Sequence, residues 1–96
     1  MRNNNEQSLN DVIGELLKAY KLEDKLFEVR LIGSWEKVLG KAIAKYTTNI
    51  QIKNKVLYVT LESSVIRSEM SFAKEKIIEM LNEECGKKVI TDIVLK

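Results

Sequence analysis

Thr47-Thr48-Asn49-Ile50-Gln51-Ile52-Lys53-Asn54-Lys55-Val56-Leu57-Tyr58-Val59-Thr60-Leu61 is the segment in which the apolar period drops from about 3.6 residues to 2. Thr48, Ile50 and Ile52 alternate with Asn49, Gln51 and Lys53, and after Asn54-Lys55 the residues Leu57, Val59 and Leu61 alternate again. Two alternating runs separated by two residues predict a β-hairpin, because Asn tolerates the left-handed backbone that a two-residue turn requires. The phase puts Leu57, Val59 and Leu61 on one sheet face and Val56, Tyr58 and Thr60 on the other.

On the N-terminal side of the hairpin the pattern is helical. Leu31, Trp35, Val38, Leu39 and Ala42 line one stripe, with Phe27 one turn before it. Gly33 and Gly40 interrupt this segment, and a bend or break is expected at one of them, Gly40 being favoured. Further upstream Leu9, Val12, Ile13, Leu16, Leu17 and Tyr20 recur at helical spacing and predict a first helix over roughly Leu9 to Ala19, with Ser8 and Asp11 in an N-capping arrangement. Residues 1–7 hold three consecutive Asn and no apolar residue after Met1, the composition of a short disordered tail.

On the C-terminal side Ser63 or Ser64 can cap a third helix, whose apolar positions are Ile66, Met70, Ala73, Ile77 and Leu81 and whose end is marked by Gly86. The β-branched run Val89-Ile90-Thr91-Asp92-Ile93-Val94-Leu95 predicts a third strand. The expected architecture is therefore one α+β domain over 8–96 in the order ααββαβ, with a three-stranded sheet packed by helices.

Composition narrows the function. The 96 residues are 45% hydrophobic and 31% charged, enough apolar content for one core and too much for disorder. Cys85 is the only cysteine, which excludes an internal disulfide and a cysteine-built zinc site, and His is absent. The usual acid–base and nucleophile pairs lose their commonest member, so an enzyme is not expected and no cofactor is. The longest unbroken apolar run is Val56 to Val59, far short of a signal peptide core or a membrane span, and with the lone thiol this points to the cytoplasm.

Net charge is only +2, so any electrostatic site must be local. Between Glu36 and Glu62 lie Lys37, Lys41, Lys45, Lys53 and Lys55 and no acidic residue. The first three share i, i+4, i+8 spacing, one face of a helix if it runs through Gly40, and the last two flank the hairpin turn. Lysines of this kind can hold a phosphate backbone, since a point charge needs little directional precision; the competing reading is a solvated face. Glu75, Glu79 and Glu83 repeat the same spacing with the opposite sign, a docking face for a basic partner or, the favoured reading, the solvent side of the third helix. Trp35 belongs to the core stripe. Tyr58 falls on the outer sheet face with Val56, a surface either open to a partner or covered by the first helix. Cys85 stands at a helix C-terminus, where the dipole opposes a thiolate.

The segment Trp35-Glu36-Lys37-Val38-Leu39-Gly40, the hairpin ending Val56-Leu57-Tyr58-Val59, the Glu62-Ser63-Ser64 junction, and Met80-Leu81-Asn82 followed by Gly86 together resemble the DciA-like family, over about the whole of 8–96. The resemblance implies a KH-like domain, DNA binding, and action with the replicative helicase DnaB. The chain departs from the family pattern at Ile66, where a Trp often follows the Ser-Ser junction, and at Tyr46-Thr47 in place of His-Thr. It also lacks the GxxG loop of true KH domains, so their way of clamping RNA is not carried over.

The expected function is a non-enzymatic binding module in which Lys37, Lys41, Lys45, Lys53 and Lys55 contact nucleic acid, DNA being favoured, and another surface engages the replicative helicase. The alternative is a protein-interaction or homodimerisation module using the outer sheet face around Val56, Tyr58 and Ile90.

Overall fold

The computed structural model describes residues 4–20 and 22–96, with side chains from Leu9 onward, so the tail expected over 1–7 falls on positions outside the described residues and on the first turn of α1. The elements are α1 (Asn4–Ala19), α2 (Leu22–Gly33), α3 (Trp35–Leu39), α4 (Lys41–Lys45), β1 (Thr47–Lys53), β2 (Val56–Leu61), α5 (Ser64–Ser71), α6 (Lys74–Cys85) and β3 (Asp92–Leu95). The fold is α+β in the expected order, with the second expected helix broken near its glycines and the third broken once between α5 and α6. Among the described residues no helix is long and apolar enough to cross a membrane.

Strand order is β1-β2-β3, antiparallel between β1 and β2 and parallel between β2 and β3. The hairpin turn holds Asn54 at φ 52° and Lys55 at φ 65°, the left-handed pair of a type I′ connection, which matches the strand twist. On β2 the predicted alternation appears directly: Leu57, Val59 and Leu61 are buried while Val56, Tyr58 and Thr60 are half-buried. The buried set meets Leu31, Trp35, Met70, Ile77, Leu81, Val89, Ile90 and Ile93 in one core. Trp35 locks the corner between helix and sheet as well as filling it. Its indole N–H donates to the Thr47 hydroxyl (2.9 Å), which donates to the Ile43 carbonyl (2.8 Å).

The break expected at Gly33 or Gly40, Gly40 being favoured, occurs at both, so that α3 is set off at each end. Gly40 adopts φ 95°, ψ 162°, a region open essentially to glycine alone. A Cβ there would meet nothing within 4 Å, so the cost of a side chain lies entirely in the backbone. Gly40→Ala is expected to lower the unfolding free energy by about 1–3 kcal/mol. A urea denaturation midpoint equal to that of the wild type would show that the break does not need glycine.

The helix expected from Ile66 to Leu81 also breaks, at Phe72 and Ala73. The Ser71 hydroxyl donates to the Ser68 carbonyl, and the Phe72 and Ala73 N–H groups turn back to Glu69 and Met70, closing the last turn tightly. Ser63 caps α5 through its hydroxyl and Gly86 ends α6 at φ 74°, as the sequence implied. The third strand is shorter than expected. Asn82 on α6 accepts from the N–H groups of Val89 (2.9 Å) and Ile90 (3.1 Å) and donates to the Ile90 carbonyl (2.9 Å), so these residues pair with a helix side chain and not with β2.

Candidate nucleic-acid interface

The five lysines separate into two groups. Lys41 and Lys45 lie on α4, at the end of the sheet where β1 begins, and Lys53 and Lys55 lie at the hairpin tip, where β1 ends. At about 3.3 Å per residue the seven residues of β1 put roughly 23 Å between these ends. All four side chains are exposed, and among the described residues none of them makes an ion pair. Lys37 differs: it is paired with Glu84 of α6, an exposed ion pair that occupies its ammonium. The single helical row expected for Lys37, Lys41 and Lys45 does not exist, since Gly40 turns the chain between them.

β1 is an edge strand, so the two free lysine groups bracket an open sheet edge with Thr48, Asn49 and Gln51 exposed along it. Around the hairpin tip the sequence missed two further lysines, Lys87 and Lys88, which border the same hollow as Lys55. Lys87 is engaged, with Asp24 at 3.4 Å, Glu23 at 4.0 Å and the Phe27 ring 4.7 Å from its ammonium. Their position after Gly86 places them in a loop, but only the fold brings that loop to the hairpin.

Among the described residues the outer sheet face is open. The main contact of α1 is α2, so the first helix does not cover the sheet, and Val56 and Tyr58 stay half-buried on that face. Ile90 does not belong with them: it is fully buried in the core, bonded to Asn82, and is corrected from a surface residue to a core residue. A separate apolar groove runs between α4 and α5–α6, lined by Leu39, Ile43, Ile66, Met70, Ile77 and Met80, and at the helix junction beside it Phe72 is 88% exposed. Phe72 lies off the stripe of Met70, Ala73 and Ile77, which was the available sequence signal for its exposure.

Burial, reinforced by Glu84, pushes the Cys85 thiol up from its ordinary range, with Arg30 opposing, so the thiol is protonated at neutral pH and is a poor nucleophile. Among the described residues no group of three or more His, Cys, Asp or Glu is placed to hold a metal.

A family model described as Dna[CI] antecedent, DciA, matches residues 8–95. The chain is also similar to a UPF0232 protein of Corynebacterium glutamicum (strain R), 28% identical over 60 residues that make up 62% of this chain. Those residues span 34% of the relative, so the chain covers about a third of that protein's length. No solved structure matches.

Proposed function

The chain belongs to the DciA family, and from that membership we propose that it is a non-enzymatic cytoplasmic module, folded as one domain over 8–96, that binds nucleic acid and works beside the replicative DNA helicase. The observation that carries the nucleic-acid half is the placing of Lys41, Lys45, Lys53 and Lys55, exposed and outside ion pairs among the described residues, at the two ends of the open β1 edge. A polyanion laid along that edge meets cations at both ends, separated by on the order of seven phosphate steps of one duplex strand. Lys37 contributes least, since Glu84 already neutralises it. The helicase half rests on the family's implied partner and on the apolar groove with Phe72 at its margin, a surface suited to an apolar segment of another protein.

Four phosphate contacts release counterions, so the logarithm of the binding constant should fall with the logarithm of salt concentration with a slope of about −3.6 on duplex DNA or about −2.8 on a single strand. Fluorescence anisotropy of a labelled oligonucleotide at several salt concentrations measures this. Binding that is absent at low salt would sink the nucleic-acid reading and leave the protein-interaction surface as the function.

A further inference from the structure

The strand register orders the open face of the sheet into three rows. Lys53, Val56 and Asp92 lie side by side nearest the hairpin tip; Gln51, Tyr58 and Val94 form the middle row; Asn49 and Thr60 form the third. Tyr58, half-buried, is thus the one aromatic at the centre of a sheet face that the described residues leave uncovered, ringed by polar and small apolar neighbours. The ammonium of Lys96 sits 5.4 Å from the centroid of its ring. Among the described residues the carboxylate of Asp92 is the single acidic group in these rows, and it is turned to the N–H of Ile93 (2.8 Å).

We propose that this face binds single-stranded nucleic acid, with one base stacked on Tyr58 and the adjoining phosphates held by Lys53 and Lys96. The proposal rests on the nucleic-acid reading above and narrows it from nucleic acid in general to unpaired strands. A base is free to lie on an aromatic ring only when it has left its own stack, which a single strand allows and a duplex does not. The ring is already the seat of a cation, and the four-carbon stem of Lys96 lets its ammonium swing to a phosphate when a base takes the ring face. Gln51, Asn49 and Thr60 supply donors and acceptors beside the ring for base edges.

A second copy of the chain fits this face less well. Its apolar content is Val56, Tyr58 and Val94, small beside the roughly 1,200–2,000 Å² that a stable interface buries, and face-to-face pairing would bring two sets of Lys53 and Lys96 together with little acid to offset them.

The test uses the whole chain with a labelled oligothymidylate and a duplex of equal length. Tyr58→Ala is expected to weaken single-strand binding by roughly 5- to 150-fold, the range for losing one base stack, while duplex affinity and the salt slope hold, since no phosphate contact is removed. Tyr58→Phe keeps the ring and should bind like the wild type. Wild-type protein irradiated with an oligonucleotide carrying 5-iodouracil should crosslink at Tyr58, a readout that does not depend on a variant folding. Unchanged single-strand affinity in Tyr58→Ala, or crosslinks confined to α4 and the hairpin tip, would overturn the stacking platform while the broader reading stands. Wild-type protein that binds neither oligonucleotide would overturn both.

Discussion

Asn82→Ala is expected to destabilise the protein by about 3–5 kcal/mol, because the substitution strands three buried backbone groups and not one. The side-chain oxygen of Asn82 is the acceptor for Val89 N–H and Ile90 N–H, and its amide nitrogen is the donor to the Ile90 carbonyl. Val89 and Ile90 are 7% and 0% exposed, so water cannot replace the lost partners without opening the core. A loss of this size is a large share of the roughly 5–15 kcal/mol that holds a small domain together. At about 4–8 °C per kcal/mol for a domain this size the melting temperature should fall by roughly 12–40 °C. Asn82→Asp separates the parts of the effect, since a carboxylate still accepts from both N–H groups but sets an oxygen against the Ile90 carbonyl in place of the donor; with two of the three bonds kept it should be milder than Asn82→Ala at neutral pH. Thermal unfolding followed by circular dichroism measures both, and an alanine variant within 1 kcal/mol of the wild type would show that the clamp is not needed.

The same clamp explains where the sequence was and was not readable. The hairpin was legible because a period of 2 is a local property: Leu57, Val59 and Leu61 announce their face without reference to anything distant. The third strand was legible in kind but not in extent. Its β-branched run begins at Val89, yet the first residues are captured by a side chain on α6, and the strand's own alternation starts only at Asp92, with Ile93 and Leu95 facing inward. Ile90, grouped with Val56 and Tyr58 on the outer face, lies before the paired part of the strand, and the fold buries it. The break between α5 and α6 was hidden for the opposite reason. Met70, Ala73 and Ile77 keep helical spacing straight through it, and the signal lay in the Ser71 hydroxyl, which competes for a backbone carbonyl. At the candidate site the lysines were found by composition, but their grouping was not, because Lys37 and Glu84 meet across 47 positions and Lys96 reaches Tyr58 only through the parallel register of β2 and β3.

Reversing the four free lysines, Lys41, Lys45, Lys53 and Lys55, to glutamate is expected to lower nucleic-acid affinity by more than 10³-fold at about 0.1 M salt. Each phosphate contact that releases a counterion contributes about 0.9 log unit to duplex binding at that concentration, so two contacts are worth roughly 60-fold and four roughly 4,000-fold before the added repulsion of the glutamates. The two ends of β1 can be tested apart, because roughly 23 Å lies between them and the aqueous screening length at this salt is about 10 Å. Lys41→Glu with Lys45→Glu and Lys53→Glu with Lys55→Glu should each cost about two decades and each flatten the salt slope by about 1.8, with the effects adding in the fourfold variant. If the backbone engages only the hairpin tip, where Lys88 also stands, the α4 pair will cost almost nothing and the slope of the wild type will be near −2. Glu79→Lys with Glu83→Lys is the control: it changes net charge by the same amount in the opposite direction on α6, away from the β1 edge, and should leave binding intact or strengthen it. Because these side chains are exposed, stability should move little, and unchanged circular dichroism would confirm that lost affinity reports on the surface. Two double variants that bind as the wild type does would reduce the lysines to a solvated face and shift the function to the apolar groove between α4 and α5–α6.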